Sequence, residues 1–149
     1  MPPIRLTALA ATLGLSMAMG SLMTLPAAAQ TVRYACAATG ANDISMGSRY
    51  EVRGTGTTAR RKFSTEFEAG PTAGFIAGSR LNVLVKGVNV GSMVLEKLLT
   101  GDVIGDINFD TRPQADALPF PGNWPAGVGR GTPIVIKKGT TTVLGCRLR

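Results

Sequence analysis

The sequence predicts an all-β protein, a small antiparallel β-sandwich or barrel of about seven to eight hairpin-linked strands. Apolar and polar residues alternate in several short runs, which is the pattern of a strand with one buried face. The chain also contains 19 glycines and 9 prolines, and beyond residue 29 it lacks an apolar pattern of helical spacing over an ordinary helix length. Both observations favour strands joined by tight turns.

Four strands are predicted in the first part of the domain, at 32–38, 50–52, 62–69 and 81–85. In the third of these, aromatic and small residues alternate with charged ones, so one face is buried and the other solvated. The fourth is apolar on both faces.

Three residue–glycine pairs then predict hairpin turns, because glycine readily adopts the positive φ that a tight turn requires. They are Lys86-Gly87, Thr100-Gly101 and Lys138-Gly139. A long loop over residues 111–131 separates the last hairpin from the others, so the second part of the domain reads as an interrupted meander.

The N-terminal segment has the features of an export signal. Arg5 precedes an uncharged apolar run, Pro26 interrupts that run, and Ala27-Ala28-Ala29 offers small residues for cleavage before Gln30. The alternative is a membrane anchor, for which an apolar run of about 18 residues is marginal. We therefore predict a signal peptide at 1–29, a single β-domain at 30–149, no stable membrane insertion, and a periplasmic or secreted location.

The two cysteines, Cys36 and Cys146, lie near the two ends of this predicted domain. In an exported protein such a pair indicates a structural disulfide, here one that joins the first and last strands. The alternative, two free thiols or a redox pair, lacks the C-x-x-C spacing of redox motifs.

The full chain has a formal net charge of +7, which indicates weak attraction to anionic surfaces. For an exported protein, an anionic or glycan-like envelope component is a more sensible partner than nucleic acid. The sequence leaves the oligomeric state open.

The tightest basic cluster is Arg60-Arg61-Lys62, which could bind a phosphate or sulfate. The preferred interpretation is a solvated run that protects a sheet edge from aggregation.

The long loop carries the single tryptophan, Trp124, close to Phe120 and between prolines. Because proline restricts the backbone, these two aromatic side chains could form a preorganised binding surface. Alternatively, they fold back and plug one end of the sandwich, anchoring a loop that is long for a compact domain. Both interpretations stay open at this point.

The run 102–110 is a candidate metal site, because Asp102, Asp106, Asn108 and Asp110 share one strand face. Same-face neighbours on a strand lie about 7 Å apart, too far for one ion. We therefore interpret them as a solvated face and predict no metal and no cofactor.

Catalysis has little support in the sequence. The chain has no histidine, so the usual general base and zinc ligand are missing. Both cysteines are assigned to the disulfide, and the carboxylates Glu66 and Glu68 lie on an ordinary amphipathic strand. We predict a protein without enzymatic activity; a hydrolase that uses carboxylates is the weaker alternative.

Two resemblances complete the sequence evidence. The runs at 62–70 and 81–91, followed by Pro119-Phe120-Pro121, resemble small exported bacterial β-domains of unassigned function. The runs at 32–36 and 143–148 are similar to the disulfide-linked end strands of periplasmic inhibitors of c-type lysozyme. Gly47-Ser48-Arg49-Tyr50 resembles a Ser-Gly-x-x-Tyr loop of that family, although here it comes much earlier in the chain.

These observations predict a non-enzymatic binding or structural protein of the bacterial cell envelope, with an unknown ligand. The candidate binding residues are Phe120, Trp124, Arg60, Arg61 and Lys62. The alternative function, implied by the second resemblance, is inhibition of a lysozyme.

Overall fold

The computed structural model describes residues 30–149. The predicted signal peptide at 1–29 lies outside these residues. The described chain forms nine β-strands and a short 3-10 turn at Gly56–Thr58, which confirms the all-β class with slightly more strands than expected. The strands are β1 (Thr31–Gly40), β2 (Ile44–Arg53), β3 (Arg60–Ala69), β4 (Arg80–Val85), β5 (Val88–Val94), β6 (Glu96–Lys97), β7 (Val103–Asp110), β8 (Pro133–Lys138) and β9 (Thr141–Arg147).

The strands form two antiparallel sheets. The first sheet has five strands in the order β1-β2-β3-β7-β6, and the second has four in the order β5-β4-β8-β9. All three predicted turns join neighbouring strands, and their glycines have positive φ angles, for example 80° at Gly87 and 60° at Gly139. The hairpin predictions are therefore confirmed.

The sequence predicted β1 at 32–38 but β2 only at its end, around Tyr50, and it did not predict the turn that joins these two strands. Its turn contains Asn42 and Asp43, both with a φ of 58°. Asn and Asp tolerate this left-handed conformation better than other non-glycine residues. The turn therefore has a physical basis, although it lacks a glycine at these two positions.

The two sheets are connected along both edges. On one side the chain passes from β5 through the buried Leu95 directly into β6, and so from one sheet to the other. On the other side Ala35 of β1 and Arg149 exchange backbone hydrogen bonds of 3.2 and 3.0 Å. The disulfide between Cys36 and Cys146 lies beside them, with a Cα–Cα distance of 5.8 Å. The predicted disulfide and its end-strand location are confirmed.

The core lies between the sheets and is built from alternate residues of each strand. Its fully buried side chains include Phe63 and Phe67 from the first sheet and Ile134 and Ile136 from the second. Within residues 30–149 no helix combines the length and apolar character needed to cross a membrane.

Candidate functional site

The two aromatic residues of the long loop pack against the core. Trp124 and Phe120 are both half-buried, with their ring centroids 4.7 Å apart. The indole of Trp124 also lies 5.0 Å from the ring of Phe63 and 6.0 Å from that of Phe109. Tyr50 completes this aromatic cluster, 6.1 Å from Trp124. The loop thus covers one end of the space between the sheets, and a binding role for its aromatic residues stays a prediction.

The loop is fixed by several polar contacts in addition to these rings. Leu118 accepts a backbone hydrogen bond from Asp110 and donates one to Asn108, at 2.9 and 2.8 Å. The Nδ2 atom of Asn123 donates to the carbonyl oxygen of Asn89 at 2.9 Å. Lys86 reaches the carbonyl oxygen of Ala126 at 2.9 Å. The loop is therefore held by contacts to both sheets.

The basic cluster does not lie at a sheet edge. Its residues belong to β3, which pairs with β2 on one side and β7 on the other. The prediction that this run protects a sheet edge is therefore wrong. The sequence could not show this, because it does not reveal which strands flank β3. The three side chains also separate: Arg61 lies over the ring of Phe120 at 5.2 Å, while Arg60 and Lys62 approach Asp110.

Asp110 is buried, although the sequence pattern placed it on a solvated face. Arg60 binds its carboxylate with both Nε and Nη2, at distances from 2.6 to 3.2 Å. The backbone N–H of Arg112 donates a further hydrogen bond at 2.9 Å. The Arg60 hydrogen bonds are the main reason that the pKa of Asp110 is lowered to about 2, outweighing the opposing effect of burial. Arg60 is thus engaged in a structural ion pair.

The other acidic residues of β7 and its turn are also directed to protein partners. Asp102 accepts a hydrogen bond from the hydroxyl of Thr100 at 2.6 Å, and Asp106 accepts one from Asn108 at 2.5 Å. Among residues 30–149 no group of three or more carboxylate or thiol side chains is arranged to hold a metal ion.

The outer face of the five-stranded sheet is concave. Three concavities of about 410, 470 and 440 Å³ adjoin one another along it. The first and second share Gly47, Glu66 and Asp106, and the first and third share Arg49, Ser64 and Asn108. They therefore form one continuous depression parallel to β2 and β3. We call its central part the sheet-face groove, formed by Ala35, Ala37, Gly47, Arg49, Ser64, Glu66, Asp106 and Asn108.

Small residues make the floor of the sheet-face groove. Ala35 and Ala37 face outward from β1, and Gly47 is the partner of Ala37 on β2. An added Cβ at Gly47 would lie 3.0 Å from Oε1 of Glu66, so the glycine leaves space that this carboxylate partly covers. The depression therefore reflects the small size of Ala35, Ala37 and Gly47, beside the longer side chains of Arg49 and Glu66.

Charged residues of opposite sign line two neighbouring parts of the groove. Glu66 on β3 is directly opposite Asp106 on β7, and like charges in such a cross-strand pair destabilise a sheet. Arg49 on β2 lies one same-face position away, opposite Ser64. Within residues 30–149, none of these three charged groups has an oppositely charged atom within ion-pair distance.

Beyond Arg49 the charges are paired. Glu51 accepts a hydrogen bond from Nε of Arg33 at 2.7 Å and lies 3.6 Å from Arg53. The hydrogen bond from Arg33 is the main reason that the pKa of Glu51 is lowered. Arg49, Glu66 and Asp106 are thus exposed groove charges without an ion-pair partner among residues 30–149, and they are accessible to a ligand.

The sheet-face groove was not predicted from the sequence. Its residues come from four strands, and their proximity depends on the register of three strand pairs. The signal in the sequence that could have indicated the groove is the small size of Ala35, Ala37 and Gly47, which alternate with the inward-facing residues of their strands. Of the tetrapeptide 47–50, Ser48 and Tyr50 are buried, and only Gly47 and Arg49 face outward.

No family model, curated protein or solved structure significantly matches this chain. The class of the molecule therefore rests on its own geometry: an all-β, two-sheet protein with a disulfide between its end strands and a polar groove on one outer face. Such a groove can bind a small or extended polar ligand through carboxylate, guanidinium and amide groups that already face outward.

Proposed function

We propose that this chain is an exported, non-enzymatic binding protein of the bacterial cell envelope, and that its ligand binds in the sheet-face groove. The observation that carries the proposal is the set of outward-facing polar groups over a floor of small residues, on the rigid face of a five-stranded sheet. Sites built on strands hold their side chains more firmly than sites on loops.

The envelope location is supported by the disulfide between Cys36 and Cys146, since stable disulfides are typical of oxidising compartments. The predicted signal peptide at 1–29 supports it independently. Of the predicted envelope partners, the groove suits their peptide parts best, because two carboxylates and one guanidinium face outward there and such peptides present amide and charged groups. Asn108, Arg49 and the two carboxylates are side chains that recognise such groups.

The test is retention of the exported protein on isolated bacterial envelope fragments. We expect the wild-type protein to sediment with the fragments and the Gly47→Val variant to remain in solution, with at least a tenfold loss of affinity. Valine fills the groove floor and suits an extended strand. The added Cβ would meet only the flexible end of Glu66, so the fold should persist.

Two controls make this test specific. The Gly122→Val substitution lies in the long loop, where an added Cβ meets no atom within 4 Å, and should leave retention unchanged. The supernatant is also assayed for released sugars and peptides, and we expect none. Equal retention of both variants would contradict the groove as the site, and steady release of fragments would contradict a non-enzymatic function.

Inhibition of a lysozyme is the second candidate. The observation that favours it is the accessible Arg49 within the tetrapeptide of the resemblance, next to the carboxylates Glu66 and Asp106. These carboxylates provide a local negative surface that a basic lysozyme could contact. Lysis of bacterial cells by c-type lysozyme, measured with and without the exported protein, tests it. Undiminished lysis at a large excess of the protein would exclude this function.

A further inference from the structure

We infer that the sheet-face groove recognises a diamino-acid unit of the cell-wall peptide: an ammonium group bound between Glu66 and Asp106, and a carboxylate bound by Arg49. This inference rests on the proposed function and names the chemistry of the ligand for the same site. It follows from three features of the groove: the facing carboxylates, the guanidinium and the spacing between them.

The facing carboxylates provide the position for the cation. Glu66 and Asp106 are cross-strand partners, so their β-carbons lie about 5 Å apart. An ammonium between them relieves their repulsion and can donate hydrogen bonds to both carboxylates, since it has three N–H donors. Asn108 already donates to one oxygen of Asp106, which orients that carboxylate and leaves its other oxygen for a ligand.

The guanidinium provides the position for the anion. Arg49 faces the same groove from β2, opposite Ser64. It has no acidic partner within ion-pair distance among residues 30–149. A guanidinium offers two parallel N–H donors that match a carboxylate. Ser64 adds a hydroxyl at the floor beneath it.

The arrangement of the charges limits the ligand. Arg49 and Glu66 are diagonal neighbours across β2 and β3, about 7 to 8 Å apart at their α-carbons. Their side chains are long, so their charged ends can reach an ammonium and a carboxylate that are joined by a short aliphatic stem, as in lysine. A ligand with a single charge would satisfy one part of the groove and leave the other uncompensated.

The floor excludes other classes of ligand. The outward residues between the charged groups are Gly47 and Ser64, with Ala35 and Ala37 beside them on β1. Phe67, which borders the groove from below, is buried, so no exposed aromatic face is available for a sugar ring or base to stack on. A shallow floor of small residues admits an extended aliphatic stem with charged ends. It offers little to a neutral sugar, which would need stacking for affinity.

The first test uses Nα-acetyl-L-lysine as the probe, which carries one ammonium and one carboxylate. Binding to the exported, isotopically labelled protein is followed by the amide signals of Gly47, Ser64 and Asp106 in NMR titrations. We expect these signals to shift saturably. The diacetylated probe, which lacks the ammonium, and the C-terminal amide of the probe, which lacks the carboxylate, should each bind at least tenfold more weakly.

Matched variants assign the two charges. Glu66→Gln and Asp106→Asn should each lower the affinity for the probe about tenfold and leave the affinity for the diacetylated probe unchanged. Arg49→Gln should also lower the affinity for the probe, but leave the affinity for its C-terminal amide unchanged. The controls Asp116→Asn and Arg130→Gln change the same charges at exposed loop positions outside the groove and should not alter binding. Equal weakening by groove and control variants would overturn the inference, because it would indicate a general charge effect.

The second test distinguishes the source of the diamino acid. Cell-wall fragments are freed of protein with protease, and one half is treated to acetylate free amines. We expect retention on the untreated fragments and loss on the acetylated ones. If the wild type were retained on both untreated and acetylated fragments while Gly47→Val was retained on neither, the diamino-acid inference would be overturned and the proposed function would remain. Retention only before protease treatment would also overturn it, since the ligand would then be an envelope protein.

Discussion

Asp110 lies at the end of β7 with 3% of its surface exposed, and its charge depends on Arg60. Replacing it with asparagine removes the bidentate ion pair and leaves the half-buried guanidinium without its main partner. We expect the Asp110→Asn variant to lose on the order of 2 kcal/mol of unfolding free energy at neutral pH. Urea denaturation followed by circular dichroism measures this loss, and Asp116→Asn, in the exposed loop, is the control.

The same ion pair predicts how stability depends on pH. The pKa of Asp110 falls from 3.8 to about 2 on folding, so the folded protein favours the ionised form. This contribution is complete above about pH 4 and is lost as the pH falls towards 2. The difference in stability between wild type and Asp110→Asn should therefore shrink over this range. A constant difference down to pH 2 would show that the ionised carboxylate is not its cause.

Trp124 contacts four other aromatic rings of the cluster at the end of the sandwich. Truncation of this half-buried side chain should therefore cost about 2 to 4 kcal/mol. We expect this loss for Trp124→Ala in denaturation experiments, and a blue-shifted, quencher-resistant fluorescence for the wild type. Leu99→Ala removes a fully exposed side chain from the β6–β7 turn and should change stability by less than about 0.5 kcal/mol. If Trp124→Ala were as stable as the wild type, the result would contradict the packing role of Trp124 and favour the interpretation of the loop as a binding surface.

The burial and the partners of single residues were the features hardest to predict from the sequence. The sequence placed Asp110 on a solvated face because its position alternates with apolar neighbours, and the Arg60 that covers it comes from another strand. Ser48 faces the core, where its hydroxyl lies 2.9 Å from that of Thr65. A polar residue at a core position weakened the strand pattern of β2, and its partner on β3 cannot be deduced before the register is known.

Among the structural elements, the disulfide joins β1 to β9 and so links the first strand to the last. We expect thiol titration of the unfolded, unreduced protein to find no free thiol. The double variant Cys36→Ala/Cys146→Ala should lose about 2 to 5 kcal/mol, because the unfolded chain is no longer restrained by a long covalent loop. Reduced wild-type protein is the matched comparison and should show a similar loss. Two free thiols in the unreduced protein would contradict the cross-link.

Elements were predictable where local patterns specify them. β3 has strict alternation, and the β4–β5 and β8–β9 turns contain a glycine with positive φ. The order of strands in the sheets was not predictable, because pairing depends on contacts between distant parts of the chain. For the same reason the basic run at 60–62 was assigned to an edge, and the sheet-face groove, which requires the register of four strands, was not identified.

At the scale of the whole molecule, processing of the N-terminal segment stays a prediction. Because the alanines at 27–29 follow the helix-breaking Pro26, the exported protein should begin at Gln30. Intact mass spectrometry of protein recovered after export measures this directly. A mass that retains residues 1–29 would contradict cleavage and favour the anchored alternative.

The pairing of β1 with the last residue has a consequence for the order of events in folding. A chain emerges with its N-terminus first, so β1 exists long before its partner at Arg149. One edge of β1 must stay open until Arg149 arrives, and contacts so distant in sequence form slowly. During this interval the thiol of Cys36 has no native partner, so the redox conditions in which the chain folds decide whether it first pairs with another molecule.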